Sequence, residues 1–119
     1  MITLYGIPNC DTVKKARKWL EMQHLDYQFH DFRKDGVDST LVAPWLQQVD
    51  STVLLNRRST TWKQLSDADK SVTTDDQLIS LLVANPTLIK RPVIDCNGAI
   101  IVGFTPDRLN IFLTEHLGK

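Results

Sequence analysis

"ITLYGIPNCDTVKKARKWL", residues 2–20, changes its periodicity once, and that change decides the fold. Ile2 and Leu4 alternate with Thr3 and Tyr5, the period-two pattern of a short strand with one buried face. Gly6, Pro8 and Asn9 break the pattern as a loop. Beyond them Val13, Ala16 and Leu20 recur at helical spacing, with Lys14, Lys15, Lys18 and Glu21 on the solvated side. "DYQFH" (26–30) returns to alternation and predicts a second strand with Tyr27 and Phe29 on one face. Strand, helix and strand in close succession form a βαβ unit, whose two strands run parallel.

After the turn-rich "RKDGVDS" the character changes. Leu41, Val42, Trp45, Leu46 and Val49 follow helical spacing, and Pro44, too deep for a first turn after Ser39, predicts a later start or a kink. Thr61 and Gln64 have capping-box spacing in "TWKQ". Thr74 and Gln77 repeat it in "TDDQ", opening a helix that buries Leu78, Leu81 and Leu82 and stops at Asn85-Pro86. Residues 39–85 therefore read as an all-helical insertion between 1–38 and 86–119. In "RPVIDCNGAIIVGF" (91–104) Asn97-Gly98 separates two apolar runs, the signature of a tight hairpin. "TPDRL" then gives a capping threonine, a proline at the first helical position and an acid in the first turn. Leu109, Phe112, Leu113, His116 and Leu117 form an apolar stripe closed by Gly118. The order β-α-β, helices, β-β-α predicts an α/β fold: a thioredoxin-like mixed sheet with an inserted helical subdomain, in one domain of 119 residues.

Fourteen acidic residues balance fourteen basic ones, which argues against a nucleic-acid or anionic-membrane partner. No apolar run approaches the ~18 residues of a membrane span, and the N-terminus lacks a signal pattern, so a cytoplasmic protein with reduced thiols is expected. A small neutral chain fits a monomer. His24, His30 and His116 share no ligand spacing with each other or with the two cysteines, so no metal site is expected.

Cys10 follows the first strand and directly precedes the first helix, in the polar loop "PNCDT" where no packing stripe demands it. Unpaired N–H groups and the positive end of the helix dipole favour a thiolate there. Asp11 opposes this as a neighbouring negative charge. Val13 excludes a Cys-x-x-Cys dithiol, so whatever Cys10 attacks must be resolved by an outside thiol. Cys96, on a hairpin strand, reads as structural. Fixed positive charge for an anionic reactant is offered in two places. Arg91 in "KRPVI" is held extended by Pro92, and Arg57 and Arg58 lie in the loop "NRRSTTW".

The stretches "LYGIPNCDTVKKARKWL", "YQFHDFR", "LLNRRSTTWKQL" and "LIKRPVIDCNGAIIVGF" resemble the arsenate reductase/Spx (ArsC/Spx) family, most closely its YffB-like branch. The resemblance implies a thioredoxin-like fold with a helical insertion and a cis Arg91–Pro92 bond. It places Cys10 on the nucleophile, Arg91 on an oxyanion-binding arginine, and Arg58 on the arginine that the YffB and Spx branches share. An insert arginine of arsenate reductases falls on Asn56, and their third site arginine falls near Phe104. The implied function is that of a glutathione-dependent thiol reductase with one nucleophilic cysteine. Glutathione is its reducing co-substrate and small-molecule partner, and neither a metal nor a bound organic cofactor is used. The implied anion or glutathione site comprises Asn9, Asp11, Thr12, Arg58, Arg91 and Pro92. Arsenate reduction, and Spx-like regulation through RNA polymerase without catalysis, are the alternatives within the same resemblance.

Overall fold

The computed structural model describes residues 1–117. In chain order it contains β1 (Ile2–Gly6), α1 (Asp11–Met22), β2 (Gln28–Asp31), α2 (Phe32–Asp35), α3 (Ser39–Leu46), α4 (Ser51–Leu54), α5 (Thr60–Gln64), α6 (Asp67–Lys70) and α7 (Asp75–Ala84). A 3₁₀ turn (Pro86–Leu88), β3 (Val93–Cys96), β4 (Ala99–Val102) and α8 (Pro106–His116) complete the chain. Two compact units emerge: Met1–Gly36 together with the chain from Arg91 onward, and Val37–Lys90.

The first unit is a four-stranded sheet in the order β2-β1-β3-β4. β1 and β2 are parallel, as the βαβ reading requires, while β3 runs antiparallel to both β1 and β4. The register sets Ile2 opposite Cys96 and Leu4 opposite Ile94. These four side chains form one buried face, closed over by Val13, Ala16 and Leu20 of α1 and by Leu109, Phe112 and Leu113 of α8. Burying one Leu or Ile side chain of this kind stabilises the fold by about 1.5–3 kcal/mol.

α1 ends where His24 takes a left-handed conformation (φ 57°) and the Leu25 N–H donates to the Leu20 carbonyl at 3.1 Å. That six-to-one bond satisfies a carbonyl the helix leaves open. A polar clasp ties α1 to the edge strand. Arg17 donates to the Tyr27 hydroxyl, which donates to Glu21, and the Arg17 guanidinium lies 4.1 Å from the Phe29 ring centre. β2 begins at Gln28, two residues into the expected 26–30 strand and just after Tyr27, yet both aromatic rings pack on the core. At the hairpin Asn97 (φ 55°) and Gly98 (φ 95°) both adopt positive φ, as a two-residue turn of this type requires. Thr105 caps α8 by accepting from the Arg108 N–H, with Pro106 at the first position. Leu117 departs from the expected stripe, being 38 % exposed, and Gly118 lies outside the described residues.

The second unit consists of short helices that cannot satisfy their own first turns internally. Each has a side-chain N-cap: Asp38, Asp50, Ser59, Ser66 and Thr74 accept backbone N–H bonds. α3 packs against α7, with Val42, Trp45, Leu78, Leu81 and Leu82 buried. The Thr74–Gln77 capping box forms in both directions. The Thr61–Gln64 box does not. α5 starts at Thr60, its cap is Ser59, two residues before Thr61, and the Thr61 hydroxyl bonds that of Thr87 at 2.7 Å. Nor does Pro44 delay its helix: Asp38 caps α3 at Ser39, and the helix runs through the proline, lacking that one N–H donor. Within the unit, the segment after α4 and the segment after the 3₁₀ turn meet at an antiparallel Leu55–Ile89 bridge flanked by Lys90 N–H to Leu54 C=O (2.7 Å) and Asn56 N–H to Leu88 C=O (2.8 Å). Among the described residues no helix is long and apolar enough to cross a membrane.

Candidate functional site

Strand register builds the candidate site. Tyr5 pairs with Val93, and Val93 pairs with Val102. The chain leaving β1, the chain entering β3 and the chain leaving β4 therefore share one end of the sheet. Gathered there are Asn9, Cys10, Asp11 and Thr12, the Arg91–Pro92 pair, and the segment from Gly103 into α8. Arg58 belongs to the second unit. There Asn56 Oδ1 accepts the Arg58 backbone N–H at 3.1 Å, so Asn56, which occupies the position of an expected arginine, shapes the turn instead. The Arg57 guanidinium lies 5.6 Å from the Trp62 ring centre.

Cys10 is the N-cap residue of α1. Its backbone is extended (φ −91°, ψ 126°), its N–H bonds the Ile7 carbonyl at 3.3 Å, and its C=O accepts the first helical bond, from Lys14, at 2.9 Å. An N-cap side chain ordinarily accepts from the first turn's N–H groups. The Cys10 side chain makes no such bond, and the residue is half-buried against the core. As a half-buried N-cap residue, Cys10 sits at the end of the helix where the first-turn N–H groups are left without a side-chain cap. Asp11 is exposed in that turn.

Gly6 fixes how closely β1 approaches α1. A Cβ built there falls 2.7 Å from Val13 Cγ2, and Val13 is fully buried with a stiff, branched side chain. Gly6→Ala is therefore expected to cost about 1–3 kcal/mol by overpacking. Denaturant unfolding measures this, and the double variant with Val13→Ala should lose less than the sum of the two single losses.

On the β3 side the Arg91–Pro92 bond is cis, and the Pro92 carbonyl accepts the Gly103 N–H at 2.8 Å. Arg91 Nε is buried, so the direction of this cation is set by its surroundings rather than by solvent. Arg108 contributes a second guanidinium, with Nη2 at a long 3.5 Å from the Val102 carbonyl. The first turn of α8 folds Arg108 back over the end of β4.

Cys96 occupies the opposite end of the sheet. It faces Ile2, four strand steps from Gly6, or about 13 Å at ~3.3 Å per residue. It is fully buried, and burial, with Asp95 adding to it, pushes its thiol pKa up. Both cysteines are free thiols, and this geometry removes Cys96 as a partner that could resolve Cys10.

One feature was not read from the sequence. A cavity of about 470 Å³ starts at Thr12, two residues after Cys10, and runs along α1 to the start of α8. Lys15 and Lys18, which looked like ordinary members of a solvated face, line it together with Trp19, Met22 and Phe104. The signal available was Trp19, a large aromatic one place off the Val13–Ala16–Leu20 stripe. Its ring lies 6.4 Å from that of Phe104. Among the described residues no group of His, Cys, Asp and Glu is arranged to hold a metal ion.

Comparison with known proteins agrees with this architecture. The ArsC family model matches residues 5–112. An uncharacterized protein of Haemophilus influenzae is 46% identical over 104 residues, spanning 87% of this chain and 91% of that one. The global transcriptional regulator Spx of Streptococcus pyogenes is 28% identical over 121 residues, spanning 100% of this chain and 90% of its own. A solved structure of a YffB protein superposes with a TM-score of 0.89 at 39% identity, covering 93% of this chain and 97% of that one. With its thioredoxin-like sheet and a cysteine at the strand-to-helix turn, the chain belongs to the ArsC family and is YffB-like within it.

Proposed function

We propose that the protein is a single-cysteine thiol–disulfide reductase that uses glutathione. The observation that carries this reading is the N-cap position of Cys10: the residue is half-buried, makes no side-chain cap bond, and shares the sheet end with Arg91–Pro92. For a glutathione mixed disulfide R–S–S–G, the Cys10 thiolate attacks the glutathione sulfur. The old S–S bond breaks, a Cys10–S–S–G bond forms, and RS⁻ leaves to take up a proton. Attack by a second glutathione thiolate releases oxidised glutathione and regenerates the Cys10 thiolate. The net change is R–S–S–G plus glutathione to RSH plus oxidised glutathione, with electrons conserved. First-turn N–H groups around Cys10–Thr12 support the charged sulfur, as helix N-termini hold anions. Arg91, with its buried Nε, fits a glutathione carboxylate, which an arginine fork binds through two oxygens.

Buried Val13 stands where a second cysteine would complete a dithiol, so no intramolecular Cys-x-x-Cys disulfide exists to serve as a regulatory switch. Asn56 in its turn supplies no insert arginine for arsenate. Both observations favour the reductase over the regulatory and arsenate-reducing alternatives.

The test is to incubate the folded protein with a glutathione mixed disulfide and locate the adduct by mass spectrometry. The expected result is glutathione on Cys10, removed by excess glutathione, with Cys96 unmodified as the buried internal control. Modification at Cys96 alone, or none, refutes the reading.

A further inference from the structure

We propose that the cavity between α1 and the start of α8, which opens at Thr12, receives the organic part of the substrate, and that this part is a small apolar or aromatic group carrying a carboxylate. The proposal rests on the reductase reading and specifies the R of R–S–S–G. Trp19, Met22, Phe104 and Pro106 supply the walls, and Lys15 and Lys18 are the charged residues that line it among the described residues. Among the described residues neither lysine is in an ion pair. In a chain of zero net charge, two unpaired ammonium groups on one cavity make a local positive field that selects an anion. At about 470 Å³ the cavity has the size of small-molecule pockets, and its mix of apolar walls with a few charged groups is typical of them. Its position decides what enters. Its lining begins at Thr12, in the first turn of the helix that Cys10 caps, and ends at Thr105 and Pro106, on the chain leaving the same end of the sheet. Met22 is 65% exposed, a large apolar side chain left to water on a wall that a ligand would cover.

The lysines and Met22 are exposed and can be changed without disturbing the core. The ¹⁵N-labelled chain is titrated with 4-(methylthio)benzoate, an unreactive aromatic carboxylate. Amide shifts are expected at Thr12, Lys15, Lys18, Met22, Phe104 and Thr105. The Lys15→Gln/Lys18→Gln double variant should bind about ten-fold more weakly, since two exposed charge contacts are lost. The neutral 4-(methylthio)benzamide should bind wild type with a similar deficit. A parallel turnover assay compares the glutathione mixed disulfides of 4-mercaptobenzoate and 2-mercaptoethanol. Wild type should prefer the aromatic acid, and the double variant should lose about ten-fold of that preference, whereas Lys34→Gln keeps it. Amides that do not move, or binding indifferent to the lysines, overturn the proposal. So do the same shifts with S-methylglutathione and none with the benzoate, which would give the cavity to the co-substrate. If both disulfides are reduced at rates the lysines do not affect, the proposal falls and the reductase reading survives. If neither is reduced, the reading of Cys10 falls, and with it the role given to the cavity.

Discussion

Cys10→Ser is expected to abolish glutathione-dependent disulfide reduction while making the folded protein more stable. The loss of activity should be on the order of 10³-fold or more, because a serine hydroxyl forms no comparable nucleophile at neutral pH and no disulfide intermediate. The gain in stability comes from the position itself. The backbone at Cys10 is extended, as an N-cap residue requires, and the thiol leaves the first-turn N–H groups unbonded. Serine is among the best residues at this position, and its hydroxyl would accept one of those N–H groups. The expected gain is about 0.5–1 kcal/mol, measured by urea unfolding beside the activity assay. Opposite signs in the two measurements would mark a residue kept for chemistry at the expense of its own helix. A cysteine that merely packs would show the reverse, with stability falling and activity unchanged.

Leu4→Ala should have the largest effect on stability. Leu4 has 0% exposure in the central strand β1, opposite Ile94 on one side and Phe29 on the other. Truncation loses the transfer free energy of three carbons and leaves a cavity that α1 and the neighbouring strands only partly fill. The expected cost is about 2–5 kcal/mol, a large share of the stability of an ordinary domain. Leu4→Met, which keeps the volume, should cost less than about 1.5 kcal/mol. Leu117→Ala, at an exposed position, should fall within about 0.5 kcal/mol of wild type. If Leu4→Ala unfolds at the wild-type midpoint, the core is not organised around β1 as described.

The features that were legible in the sequence are those written in local period and turn chemistry. The switch of spacing between Tyr5 and Val13, the Asn97-Gly98 turn and the Thr105-Pro106 start each depend on neighbours within a few residues, and each forms where expected. The misreadings arose where several candidate caps lie close together. Ser59, Thr60 and Thr61 can each cap a helix, and which one does is settled by where Thr61 finds Thr87, a residue remote in sequence. Asp38 likewise outweighs the penalty of Pro44 at the other end of its helix. Cys10 and Arg91 were legible because each sits beside a conformational constraint, a helix start and a proline. Lys15 and Lys18 were not. A cavity wall assembled from α1 and the first turn of α8 has no periodicity of its own, and on α1 alone these lysines look like any solvated pair.

The strand order β2-β1-β3-β4 also sets when the reactive centre can exist during synthesis. Synthesis runs from the N-terminal side, so β1, α1 and β2, with Cys10 between them, are made before β3 and β4. Yet β1 is an inner strand, and its other neighbour, β3, is made only after the whole Val37–Lys90 unit. Until then Leu4 lacks Ile94, α1 lacks the helix beside it, and the cysteine has no arginine–proline pair across from it. Such long-range pairing is slow to form, and a parallel pair of strands has little stability without it. Cys10 is therefore synthesised well before the residues that face it at its end of the sheet, and the candidate site is assembled only when β3, β4 and α8 dock.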